Sequence, residues 1–229
     1  MPKENKKHLE AFFKSLKRNE SGLIFNPWFD SDTKNDMNKN APKKRLANLK
    51  YYLAERTNAE YLLLAEALGY QGGHFTGIAM TSERIILGKM THKGICPDHV
   101  CNTLLSRTSN PKKYKDGFNE PTATIVWGKL VSEGLNPRNY VFWNAFPWHP
   151  FKNADKILSN RTPTTSELKE GEIVLRLLLK SFNFKKIIAL GNKAESSLNK
   201  ISIEAEKVRH PAMGGAELFR KQFLQVINK

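Results

Sequence analysis

The chain has 229 residues, with 37 Lys and Arg against 22 Asp and Glu, six His and two Cys, and 40% of its residues are hydrophobic. That length suits one domain with a sizeable core; the apolar runs fall far short of the roughly 18–20 residues that cross a bilayer, and no apolar leader follows the charged start, so the chain reads as cytoplasmic with no membrane partner. Cys96 and Cys101 are too few for a four-thiolate metal site, and a net charge of +15 spread along the chain favours a polyanionic partner, nucleic acid first.

An opening helix is expected over 6–17, where Leu9, Phe12, Phe13 and Leu16 recur at helical spacing, and a second over 43–56, with Leu46, Leu49 and Leu53 on one face. Between them the polar stretch 30–42 reads as a surface loop. Residues 1–57 are expected to form a helical segment packed on the rest of a single domain spanning 1–229. Short apolar runs at 61–65, 140–144, 186–190 and 204–209 then read as strands. Helical segments separate them: Leu130, Val131 and Leu135 mark one, Thr164-Thr165-Ser166-Glu167 has capping-box spacing ahead of another, and 192–199 and 215–228 supply two more. This alternation predicts a three-layer α/β/α fold with a central, mostly parallel four-stranded sheet.

Open parallel sheets bind ligands in the crevice outside the carboxyl ends of their strands. Glu66-Ala67-Leu68-Gly69 follows the first strand, with Gly77-Ile78-Ala79-Met80-Thr81 further on; the second strand runs into Asn144-Ala145, and the fourth into His210-Pro211-Ala212-Met213-Gly214-Gly215. Taken singly, Glu66 reads as a solvated carboxylate, Asn144 as a turn residue, His210 as a loop histidine, and Phe75 and Met80 as core. Together they bring a carboxylate, an amide, a histidine and several aromatics to one sheet edge. Phe146-Pro147-Trp148 reads as a packed wall of the pocket, and His74 and His149 as structural hydrogen-bonders.

These four segments resemble the uracil-DNA glycosylase superfamily. Glu66-Ala67-Leu68-Gly69 is similar to its Gly-Glu-Ala-Pro-Gly motif, Gly77-Ile78-Ala79-Met80-Thr81 to its Gly-Leu-Cys-Phe-Ser segment, Asn144-Ala145 to its base-reading strand end, and His210-Pro211-Ala212 to its His-Pro-Ser loop. The likeness covers roughly 61–220. It departs at Ala65 and Leu68, which replace a glycine and a proline, at Met80, which stands at the usual aromatic stacking position, and at Ala212. The cysteines that hold the cluster of one iron–sulfur branch are missing, so no cofactor is expected.

The resemblance implies a monomeric, monofunctional enzyme of base excision repair that flips a base from DNA and hydrolyses its N-glycosidic bond. Breaking that bond develops positive charge on the sugar and negative charge on the base. Glu66 would then orient water beside the sugar, and neutral His210 would donate to uracil O2. Asn144 would pair with N3–H and O4, Ala67 would border the base, and Phe75 or Met80 would pack on it. Thr81, Ser82, Arg84, Arg209 and Gly214 are candidate DNA contacts, and Met213 lies in the loop that resembles the intercalating one. No lysine beside the motifs suits lyase chemistry. Two alternatives stay open: another damaged base such as hypoxanthine, because Gly69 stands where a bulky residue often blocks larger bases, and non-catalytic DNA binding.

Overall fold

In the computed structural model, which describes residues 2–18 and 22–228, the chain begins with α1 (Lys3–Ser15), β1 (Ile24–Phe25), α2 (Ala41–Ala54) and β2 (Tyr61–Ala67). The short helices α3 (Gly73–Thr76), α4 (Glu83–Ile86) and α5 (Pro97–Val100) lead to α6 (Pro121–Ser132), β3 (Tyr140–Phe146) and β4 (His149–Pro150). The last third alternates regularly: α7 (Thr165–Ser181), β5 (Lys186–Leu190), α8 (Asn192–Lys200), β6 (Glu206–Val208) and α9 (Ala216–Ile227).

The main sheet has the order β3-β2-β5-β6, and every pairing in it is parallel. Its central strands carry unbroken apolar runs because helices cover both faces. On β3, Phe142 meets Trp127 of α6 while its neighbour Trp143 meets Phe12 of α1 on the other side. One contiguous cluster of buried side chains runs from Phe12 to Val226 and includes the sheet and both helical layers.

An open sheet edge leaves backbone groups unpaired, and α2 with the residues after it covers the edge of β3. Tyr52 Oη accepts from Phe142 N at 2.9 Å, while fully buried Arg56 donates to Tyr140 O at 2.9 Å and lies over the Tyr52 ring. The capping box before α7 forms as its spacing predicts: Thr164 Oγ1 accepts from Glu167 N, and Glu167 Oε2 accepts from Thr164 N.

Two features depart from the sequence reading. Ile24–Phe25 and His149–Pro150 form a second, antiparallel two-stranded sheet, too short to stand out from its periodicity. The stretch 30–42 is only partly a surface loop, because Asp32, Asn35 and Asp36 are buried. Its charge is matched from inside the fold: Asp36 pairs with Arg45 at 2.6 Å, and both side chains are almost wholly out of solvent. Removing one partner of such a pair strands a charge and costs about 3–5 kcal/mol.

Candidate active site

Strand β2 runs two residues further than the apolar run that marks it, so Glu66 and Ala67 are its last two residues rather than lying beyond it. Strand β3 likewise continues past Asn144 to Phe146. Parallel pairing sets Ala65 opposite Asn144, which places Glu66 and Asn144 at the same level of adjacent strands. Beside β2 on its other edge, β5 ends at Leu190, and the loop after β6 returns His210 to the same end of the sheet, its Cβ against Gly191. Gly191 has φ 87°, the left-handed region that glycine enters without strain.

A cavity of about 650 Å³ opens there. Glu66, Ala67, Met80, Asn144, His210, Met213 and Gly214 all border it. A second cavity of about 520 Å³ shares Glu66 and His210 and is rimmed by Lys193, Lys207 and Arg209. The remaining candidates are elsewhere. Phe75 is fully buried, stacked on Phe118 at 4.3 Å between centroids, and does not border either cavity. Thr81 and Ser82 are fully buried, and half-buried Arg84 donates to Gly117 O. Phe146, Pro147 and Trp148, expected as a wall of the pocket, border neither cavity; Phe146 and Trp148 are buried, and Trp148 Nε1 donates to Leu16 O.

Each bordering group has a defined state. Lys193 Nζ stands 3.0 Å from Glu66 Oε1, an approach of charges rather than a directed hydrogen bond. Asn144 is 2% exposed and no hydrogen bond ties its amide to the described residues. His210 Nδ1 accepts from Ala212 N at 3.1 Å, so in the neutral ring Nε2 carries the proton and is the free donor. Burial, aided by Arg209, lowers the His210 pKa and keeps the ring neutral at physiological pH. Met80 holds a left-handed backbone, φ 47°, with its carbonyl pinned by Trp127 Nε1 at 3.1 Å. Met213 is also left-handed, φ 52°, and 96% exposed.

The bordering residues outside the motifs include Glu120, Asn160 and Arg161. Asn160 Oδ1 accepts from Tyr70 N at 3.1 Å, and Arg161 grips Glu167 through two bonds of 2.7 and 2.6 Å. Glu120 precedes α6, and its carboxyl group occupies the space that a side chain at Gly72 would need. Its Oε2 is sealed from solvent without a hydrogen-bond partner, and burial pushes its pKa up to about 7. The Glu120-Pro121 pair, a helix-entry signal with proline at the first helical position, was the one trace of it in the sequence.

Fold and site thus define an α/β protein with a polar cavity at the carboxyl end of an all-parallel sheet. No family model and no curated protein matches the chain. In fold it is similar to a solved structure described as wild-type Pedobacter heparinus SMUG2, with a TM-score of 0.61 over 98% of this chain and 97% of that one, at 15% identity. Among the described residues, no helix is long and apolar enough to cross a membrane.

Proposed function

We propose that the protein is a DNA glycosylase of base excision repair that hydrolyses the N-glycosidic bond of a base flipped out of DNA, with uracil as the first substrate. The observation that carries this reading is the meeting of Glu66, Asn144 and a neutral His210 with a free Nε2–H in one cavity, and the fold shared with SMUG2 supports it. A base leaving its sugar gathers negative charge, which an oriented N–H stabilises without surrendering its proton. His210 Nε2–H is such a donor. On the sugar side the Glu66 carboxylate stabilises developing positive charge and orients the attacking water, with the Lys193 ammonium 3.0 Å from its Oε1.

Asn144 presents one donor and one acceptor from a rigid strand, the complement of the uracil N3–H and O4 edge. The exposed apolar side chain of Met213 fits the gap that a flipped nucleotide leaves in a duplex. Lys193, Lys207 and Arg209 around the adjoining cavity suit the phosphates on either side.

The test is to incubate the protein with oligonucleotides carrying one uracil, hypoxanthine, xanthine or mismatched thymine, then cleave abasic sites with alkali. Strand cleavage at uracil with no cut before alkali is the expected result. Salt-sensitive DNA binding with no base released from any oligonucleotide would replace it with the non-catalytic reading.

A further inference from the structure

The connection between α5 and α6, residues 101–120, carries no helix or strand, and a connection of that length in a compact domain commonly serves function. It is nonetheless fixed. Fully buried Glu83 accepts from Thr108 N at 2.8 Å and from Ser109 N at 2.9 Å, and takes the Ser109 hydroxyl as well. Arg107 donates to Tyr114 O at 2.6 Å and to Lys115 O at 3.1 Å, and Tyr114 Oη donates to Asn35 Oδ1 at 2.6 Å. This fastening holds cationic side chains in solvent: Lys112, Lys113 and Lys115 are all exposed. Lys113 reaches the Lys34 carbonyl, and Asp116, the only acidic residue of 106–118, lies 3.6 Å from Lys89. Among the described residues, no ion pair takes up Lys112 or Lys115.

From these lysines an aromatic path leads to the cavity. Half-buried Tyr114 lies 4.4 Å from Phe118 between centroids, and Phe118 lies 6.2 Å from the half-buried Tyr70 ring. Tyr70 stands between the cavity residues Gly69 and Gln71, with its N–H on Asn160, and Glu120, two residues after Phe118, borders the same cavity. Unpaired ammonium groups beside partly open rings suit an unpaired nucleic-acid strand, because phosphates meet the cations and any base can stack on a ring.

We propose that the 106–118 loop is a docking surface for the DNA strand that leads away from the flipped nucleotide, with Lys112 and Lys115 on its phosphates and Tyr114 and Tyr70 on its unpaired bases. The surface lies outside the motif segments and has a different task from the cavity, which takes one nucleotide while the loop takes its neighbours. Tyr114 is pinned at its hydroxyl, so its ring gives up little freedom when a base settles on it.

The inference rests on the glycosylase reading and is separable from it. Binding is measured by fluorescence anisotropy across a salt series, on single strands of about 6 and about 20 nucleotides. Each carries one central 2′-fluorinated deoxyuridine, whose fluorine opposes positive charge on the sugar and so keeps the bond intact. Base release is followed on the matching unmodified uracil strands. The wild type should hold the longer strand more tightly. Lys112→Gln/Lys115→Gln should erase most of that gain and lower the salt slope on the longer strand by about 0.7 per lysine. Lys6→Gln/Lys7→Gln, the same loss of charge on α1 across the sheet, should keep the gain. Tyr114→Leu should weaken binding of the longer strand by about 5- to 150-fold, whereas Tyr114→Phe, which keeps the ring, should stay within about threefold of the wild type. No gain with length, a gain that survives the Lys112 and Lys115 change or falls equally with the Lys6 and Lys7 change, or equal losses for Tyr114→Leu and Tyr114→Phe would overturn the surface and leave the glycosylase reading standing. Length-dependent binding with no base released would overturn the glycosylase reading and leave the surface in place. Should Tyr114→Leu fail to fold, the exposed lysines decide alone.

Discussion

The proton on Glu120 has a consequence for stability that needs no substrate. An unfolded glutamate titrates at 4.5, and burial raises the folded value to about 7. The folded state therefore holds its proton more tightly than the unfolded chain. Stability from this group is complete below the unfolded value, is lost as pH rises toward about 7, and stays lost above it. The full gap corresponds to roughly 3 kcal/mol, and the favourable field of the α6 N-terminus trims it to about 2–3 kcal/mol. Glu120→Gln removes the titration and keeps the shape. The difference in unfolding free energy between variant and wild type, measured by urea titration at about pH 4.5 and again at about pH 8, should shift by that amount in favour of the variant. In thermal melts the same shift is roughly 4–12 °C. All other titrating groups cancel in the difference. A gap that stays within about 0.5 kcal/mol between the two pH values would refute a buried, unpaired carboxyl group at position 120.

Three further outcomes test the rest of the site. Glu66→Gln and His210→Ala should each slow the chemical step by about 100-fold or more while DNA binding persists; normal single-turnover cleavage by Glu66→Gln would move water activation to another group. Asn144→Asp replaces the NH2 donor with an acceptor, so uracil release should fall and cytosine gain relative to it, on the scale of a lost bidentate pair, roughly 1–3 kcal/mol; an unchanged preference would reduce Asn144 to a strand residue. Met213→Ala should impair cleavage of duplex more than of single-stranded substrate, and equal losses would make its exposure incidental.

Much of this arrangement was legible in the sequence because parallel strands are buried on both faces and announce themselves as apolar runs. Those runs carry the motifs at their ends, so Glu66, Asn144 and His210 converge whatever the error of two residues at each boundary. Phe75 illustrates the limit of motif reading. It lies between the first two motif segments, yet α3 turns its ring inward against Phe118, leaving Met80 as the residue of that loop that borders the cavity. Glu120 was invisible for a different reason. Its partner is the empty space at Gly72, more than forty residues earlier, and a glycine in a polar loop does not disclose which distant side chain uses its missing Cβ.

The buried part of the 30–42 stretch is linked by a chain of side chains to the loop that carries a cavity residue. Asp32 Oδ2 lies 3.1 Å from His74 Nε2, His74 Nδ1 lies 2.9 Å from His149 Nδ1, and His149 Nε2 lies 2.7 Å from Ser159 O, next to the cavity residue Asn160. A carbonyl only accepts, so His149 Nε2 carries its proton; burial keeps that ring neutral, with a pKa of about 3, and its Nδ1 must accept from His74 Nδ1–H. Burial also drives His74 downward, to about 4. Burial pushes Asp32 up, but its contact with His74 outweighs that and leaves the carboxyl group below its usual value. Asp32→Ala leaves the buried His74 Nε2 without its partner, at about 1–3 kcal/mol, or roughly 2–12 °C in melting temperature. The loss should extend to base release, since the chain ends on the loop that carries Asn160. A variant that melts within about 1 °C of the wild type and releases base at the same rate would show that the loop holds its place without the Asp32–His74–His149 chain.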